Sequence, residues 1–215
     1  MNIIEEIELS LPAESTIPNS GVAGIADRIS GQLAIWAGKK ESDPSMFETL
    51  KAYWDNVNFG WNGDPNIPWS AAFVSYVLGG DFPGSAAHRK YVEKVIATDG
   101  PWTAHSIPKN ADKIQLNPGD VLVKPRSGNR YNSHGAVVYS VQNGVASLVG
   151  GNVSNTAKIE DKIAVDSQGR PVESMAPWLI VLKREQKKSL TGSAGFAVPF
   201  AVLALGSLYL IARNA

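Results

Sequence analysis

Cysteine is absent from the chain. That gap removes disulfides, thiolate nucleophiles and cysteine metal ligands together, and it leaves the redox compartment open. Excess charge is missing too, since twenty Lys and Arg balance twenty Asp and Glu. A balanced chain with no basic stripe and interleaved aromatics has no electrostatic footprint for nucleic acid, so no such partner is expected. Histidine is scarce, with only His88, His105 and His134. None of them has the i, i+4 spacing with a nearby acid that a metal site uses, and neither metal nor cofactor is expected. There is no GxSxG elbow, no phosphate-cradling glycine loop, no GxGxxG and no internal repeat. The opening MNIIEEIELS carries three glutamates and no base, so no secretory signal peptide is expected.

What is present suffices for one domain with a core and an appendage: 215 residues, 44% of them apolar. One run stands apart. Ser189 to Ala212 reads SLTGSAGFAVPFAVLALGSLYLIA without a charge, long enough to cross a bilayer, where about 20 apolar residues suffice. Its Gly and Pro are tolerated in a membrane span. The expectation is a C-terminal transmembrane anchor over 189–213, behind a basic linker, 183–188, with a buried terminal helix as the alternative. Lys183, Arg184, Lys187 and Lys188 on one flank, against Arg213 on the other, would keep the globular part cytoplasmic by the positive-inside rule.

Between an N-terminal arm (1–19) and that linker, residues 20–182 read as helices followed by strands. Ile25, Ile29, Leu33 and Trp36 recur at helical spacing. Asp43 before Pro44 is an N-cap with proline at the first helical position, opening a helix with Phe47, Leu50, Tyr53, Trp54 and Val57. The turn-rich FGWNGDPNIP leads into PWSAAFVSYVLGG, a helix apolar on every face from Trp69 to Leu78. A fourth helix is expected from a cap at Ser85, burying Tyr91, Val92, Val95 and Ile96. Then DVLVK (120–124), GAVVYSV (135–141) and VASLVG (145–150) read as strands, the last two joined by the hairpin signal Gln142-Asn143-Gly144. A further hairpin is expected around Gln168-Gly169, and PWLIVLKR reads as a final strand. Helices first and an antiparallel sheet afterwards indicate an α+β domain.

Ser70 sits in the first turn of the buried helix, where backbone N–H groups lack partners and the dipole is positive. A serine hydroxyl there needs a base. His134 suits it, in SHG at the head of an apolar strand where neither packing nor turn chemistry calls for imidazole. A third group must orient the ring, and Asn152, in the GGN after the partner strand, is the candidate. Against these stand plainer roles: a helix cap for Ser70, a backbone-bonded loop residue for His134, a turn former for Asn152. His88, on the face of Tyr91, Val92 and Val95, reads as a half-core histidine, and His105 in TAHSIP has no evident partner. Trp54, Trp61 and Trp69 flank the loop before the helix and read as core, with a cleft-rim role for one or two as the alternative.

At these residues the chain resembles CHAP and NlpC-type peptidases of papain-like fold. PWSAAFVSYV resembles the motif that carries their cysteine at the head of a central helix, and NPGDVLV the start of their first core strand. SHGAVVYSVQNG resembles their histidine strand, and GGN their terminal polar position. The resemblance covers roughly residues 20 to 182 and is strongest to the branch catalogued as domain of unknown function 2272, which also has serine at the cysteine position. It implies cleavage of peptide or amide bonds in peptidoglycan without metal or cofactor. Two departures stand out. Ser70 replaces the cysteine, and Gly150 occupies the position where CHAP enzymes commonly carry an acid.

The resulting expectation is a membrane-anchored peptidoglycan endopeptidase or amidase using Ser70, His134 and Asn152. A phage virion setting would reconcile a wall substrate with an unsecreted chain. The alternative is a catalytically silent module of the same fold that binds wall or a partner protein, with the tail as anchor.

Overall fold

A computed structural model of the protein describes residues 22–110, 113–126 and 129–185. The periodic apolar positions of the first segment form helix α1 (Val22–Trp36), which buries Ile25, Ile29 and Trp36. Asp43 caps the next element as expected: its Oδ1 accepts from Ser45 N at 2.9 Å, and Pro44 starts a 3₁₀ turn that runs into α2 (Phe47–Asn56). Leu50, Tyr53 and Trp54 of α2 are buried, whereas Phe47 remains 46% exposed. Helix α3 (Ser70–Leu78) is buried at every position except Tyr76. Its last carbonyls are satisfied by a cation from α1, because the Arg28 guanidinium donates to Val77 O and Leu78 O at 2.7 Å each.

Helix α4 (His88–Ala97) starts two residues later than a cap at Ser85 would put it. The Ser75 hydroxyl takes that segment instead, accepting from Ser85 N at 2.9 Å, so Ser85 docks on α3. Ile96, expected in the core, is 41% exposed. Two short elements were not expected: strand β1 (Trp102–Ser106), which contains His105, and the single turn α5 (Ile107–Asn110).

The remaining strands are β2 (Val121–Arg126), β3 (Asn129–Gln142), β4 (Val145–Gly150), β5 (Lys158–Ala164) and β6 (Ile180–Arg184). They form one antiparallel sheet in the order β1-β6-β2-β3-β4-β5. The β3–β4 turn carries Asn143 and Gly144 at φ 52° and 73°, the left-handed pair that a two-residue hairpin demands. Strand alternation gives the sheet two cores. Val121, Val123, Val137, Val149 and Leu182 pack against the helices. Leu122, Ala136, Val138, Leu148 and Val181 face a second cluster closed by Ile107, Leu116, Met175 and Trp178.

The α+β architecture with a buried central helix is as expected, but the transmembrane part of that expectation is corrected. Among the described residues no helix is long and apolar enough to cross a membrane. The longest, α1, has 15 residues; at about 1.5 Å per residue it falls short of a hydrocarbon core about 30 Å thick. The segment 189–213 lies outside the described residues, as does the arm 1–19. Lys183 and Arg184, assigned above to a basic linker, belong to β6 and pair with Asp120 and Asp81 of the same domain.

Candidate active site

Ser70 is the first residue of α3 and only 3% exposed. The residue before it is clamped from two sides. The Trp69 indole stacks on Trp36 with ring centroids 4.5 Å apart, and its Nε1 donates to Glu41 Oε2 at 2.8 Å. The start of α3 is therefore fixed by aromatic packing and by one buried, charge-assisted hydrogen bond.

His134 lies on β3, 5% exposed, and its Nδ1 is 3.0 Å from Ser70 Oγ. Its Nε2 is 2.7 Å from Glu160 Oε1 on β5. A carboxylate can only accept, so the ring proton belongs on Nε2, and Nδ1 is left as the acceptor for the serine hydroxyl. Serine, imidazole and carboxylate thus lie in one hydrogen-bonded line. In such a line Nδ1 can take the hydroxyl proton, and the carboxylate can stabilise the imidazolium that this transfer would create.

Glu160 reaches this position through an irregularity in the sheet. Leu148 pairs with Asp161 and Val149 with Ile159, so Glu160 is the extra residue of a β-bulge. Bulges re-aim side chains in this way. Gly150, opposite, supplies the space, since a Cβ there would collide with Glu160 Oε1. Gly151 has a separate job, because a Cβ on it would lie 2.5 Å from Phe73 Cβ and would push the loop off α3.

Asn152 is close to the site but does not hold the imidazole. With the amide turned so that both of its ends meet complementary partners, the nitrogen donates to Glu41 Oε2 at 3.2 Å and the oxygen accepts from Trp69 N at 3.3 Å. Asn152 thus braces the start of α3 from the loop side. That loop is held in turn by Glu41 N, which donates to Asn155 O at 2.9 Å.

Matching residues 27–184, the chain belongs to a bacterial family described as an uncharacterized protein conserved in bacteria, DUF2272. No curated protein and no solved structure matches the chain.

Two further ionisable groups border the line in this DUF2272 chain. Lys124 stands opposite His134 in the β2–β3 register, with Nζ 3.4 Å from Glu160 Oε2 and 4.0 Å from the centre of the Trp178 ring. His88, at the start of α4, is 5% exposed and lies edge-on to His134 with ring centroids 5.7 Å apart. Burial first, then the neighbouring His134 and Arg126, hold His88 well below the ordinary histidine range, so it stays neutral. Its Nδ1 lies 2.5 Å from the Tyr91 hydroxyl, whose own acidity burial suppresses, while Nε2 has no hydrogen-bond partner among the described residues.

Of the three residues singled out from sequence, two meet directly and the third supports the helix that carries the first. Glu160, Lys124 and Glu41 were missed. The signal for Glu160 was present but ambiguous: Glu160 and Asp161 are adjacent acids in a strand, and on a regular strand adjacent side chains point to opposite faces. The bulge is what decides which of the two reaches the histidine. A cavity of about 220 Å³ lies elsewhere, at the far end of α3 beside Gly79, Phe82 and Lys94, and none of Ser70, His134 and Glu160 lines it.

Proposed function

We propose that this chain is a serine-dependent amide or peptide bond hydrolase, with peptidoglycan stem peptides or their amide link to sugar as substrate. The observation that carries the chemistry is the Ser70 Oγ to His134 Nδ1 distance of 3.0 Å, with Glu160 on the ring's other nitrogen. Support for the substrate is the resemblance of PWSAAFVSYV, SHGAVVYSVQNG and GGN to CHAP and NlpC-type peptidases. That resemblance assigns the fold to the papain-like group as part of the same proposal.

In this reading the Ser70 proton passes to His134 Nδ1 as Oγ attacks the carbonyl carbon. The N–H groups in the first turn of α3 have no carbonyl partners within the helix, and we assign them to the developing oxyanion. The imidazolium then gives its proton to the leaving nitrogen, and an acyl-serine remains. Water enters, gives its proton to the same nitrogen of His134 and releases the acid, restoring the hydroxyl.

The test is turbidity clearance and fragment release from purified peptidoglycan by the full chain, compared with its Ser70→Ala and His134→Ala variants. Each substitution is expected to lower the rate by at least about 10³-fold. Equal digestion by all three proteins, or by none, would end the hydrolase reading. A second reading, a silent module that binds wall, is favoured by one observation: the nucleophile is only 3% exposed. Co-sedimentation of Ser70→Ala with insoluble walls, in the absence of any digestion by the wild type, would select it.

A further inference from the structure

The segment between α2 and α3 shows aromatic rings to solvent, and neither the core nor Ser70 uses them. Phe73 and Phe82 are buried, whereas Phe47 and Phe59 are 46% and 40% exposed. Each exposed ring rests on a tryptophan. Phe47 lies 5.1 Å from the half-buried Trp61, and Phe59 lies 4.8 Å from the buried Trp54. Phe47 and Trp54 are seven residues apart on α2, so the two ring pairs share one helix face and are spaced by about 10.5 Å along its axis. We propose that this surface binds an uncharged, N-acetylated sugar chain, with alternate rings of an extended β-linked chain stacked on Phe47 and Phe59. The spacing is about the length of two such sugar rings joined end to end.

The groups around the rings select the ligand. From Ala52 to Ile67 the chain carries four asparagines, two aspartates and no lysine or arginine. The nearest cation before it, Lys51, is paired with Asp55. An anionic bilayer or a nucleic acid would therefore find no counter-charge here. A sugar ring has an apolar C–H face and a rim of hydroxyl and acetamide groups, so it matches an aromatic face bordered by amides. Asn58, Asn62, Asp64 and Asn66 are all exposed. Asn62 Nδ2 and Asp64 Oδ2 have no partner among the described residues, which leaves one donor and one acceptor beside the rings.

The surface is also set in advance. Trp61 Nε1 donates to Asp64 O at 2.8 Å, which fixes the indole plane. Asp64 N donates to Asn62 Oδ1 at 3.0 Å, and Asp64 Oδ1 accepts from Asn66 N at 2.9 Å. Gly63, at φ 89°, lies against Phe47, where an added Cβ would stand 3.4 Å from Cε2. A loop already held in this way loses little freedom when a ligand lands on it. The proposal does not depend on Ser70 as nucleophile; if that assignment holds, the glycan strand of the wall supplies such a chain.

The experiment follows the indole N–H resonances of the full chain, labelled with nitrogen-15, during titration with the N-acetylglucosamine tetramer. Loss of one resonance in Trp61→Phe identifies the signal to follow. That signal is expected to shift saturably in the wild type. Phe47→Ala and Phe59→Ala, both surface changes, are each expected to weaken binding by about fivefold or more. Ile96→Ala, which removes a 41% exposed apolar side chain on α4, is expected to bind as the wild type does. No saturable shift up to the solubility of the tetramer overturns the proposal, as does undiminished binding by the two phenylalanine variants at an unchanged melting temperature. A shift with phosphatidylglycerol vesicles and none with the tetramer would assign the rings to a lipid surface and overturn it too. Binding is read apart from digestion, so an inert Ser70 ends the hydrolase reading while the titration still decides the sugar surface.

Discussion

Glu160 and Asn152 divide what sequence spacing had assigned to one residue. Glu160 bonds the imidazole and Asn152 bonds the backbone just before Ser70. They are expected to fail differently. Glu160→Gln keeps the size but exchanges an acceptor-only group for an amide and removes the charge that stabilises imidazolium. It should lower the acylation rate by about 10²- to 10⁴-fold with little change in melting temperature. Asn152→Ala leaves Trp69 N–H without its acceptor and Glu41 Oε2 with only the Trp69 indole as donor, so it should destabilise by about 1–2 kcal/mol and slow acylation only mildly. Fluorophosphonate labelling and urea unfolding of both variants check this pair of outcomes. A severe rate loss in Asn152→Ala with Glu160→Gln unaffected would reverse the two roles.

Helix α4 and strand β3 approach one another through a missing side chain. A Cβ on Gly135 would lie 2.5 Å from the Tyr91 hydroxyl and 2.7 Å from His88 Nδ1, both buried and hydrogen-bonded to each other. Tyr91 is backed by Phe82, on which it packs edge-on at 5.1 Å. Gly135→Ala should therefore act as an overpacking substitution, costing about 1–3 kcal/mol. Because His134 is the preceding residue, the displaced strand should slow acylation as well. Unfolding and labelling of this variant measure both effects, and an alanine that changes neither would show that the α4–β3 contact is looser than its geometry indicates.

For the molecule as a whole, two buried groups impose opposite pH dependences. His88 is held well below the ordinary range by burial, whereas its unfolded counterpart titrates near 6.5. Above that pH both states are neutral; below it only the unfolded chain takes up the proton. Stability is then lost by about 1.4 kcal/mol per pH unit. Asp120 runs the other way, because burial, only partly offset by Lys183, pushes its carboxyl up to about 6 from 3.8. Between those values the native state keeps a proton that the unfolded chain gives up, and stability rises as pH falls. The stability difference between wild type and His88→Gln isolates the first effect. It should shrink by about 1–2 kcal/mol in favour of the variant between pH 7 and 5 in urea titrations. A constant difference would mean that His88 titrates normally.

The order of helices before strands, the cap at Asp43, the burial of α3 and the turn at Asn143-Gly144 were all legible in the sequence. Each is a local property: a period, a cap or a left-handed φ is written in a few consecutive residues. Ser70 and His134 were legible for the same reason, since a hydroxyl at a helix start and an imidazole heading an apolar strand stand out from their neighbours. Strand β1 was not legible, because its five residues, Trp102–Ser106, offer only Trp102 and Ala104 as an apolar alternation, too short to stand out, and owe their pairing to β6. Glu160 and Lys124 were not legible either. One is selected by a bulge and by a glycine on the next strand, the other by cross-strand register, and both are distances between segments rather than patterns within one. What the sequence by itself determined is which elements form and which residue types are out of place in them. Only the tertiary structure decided which carboxylate meets the histidine, because that choice depends on how the fifth strand slips by one residue against the fourth.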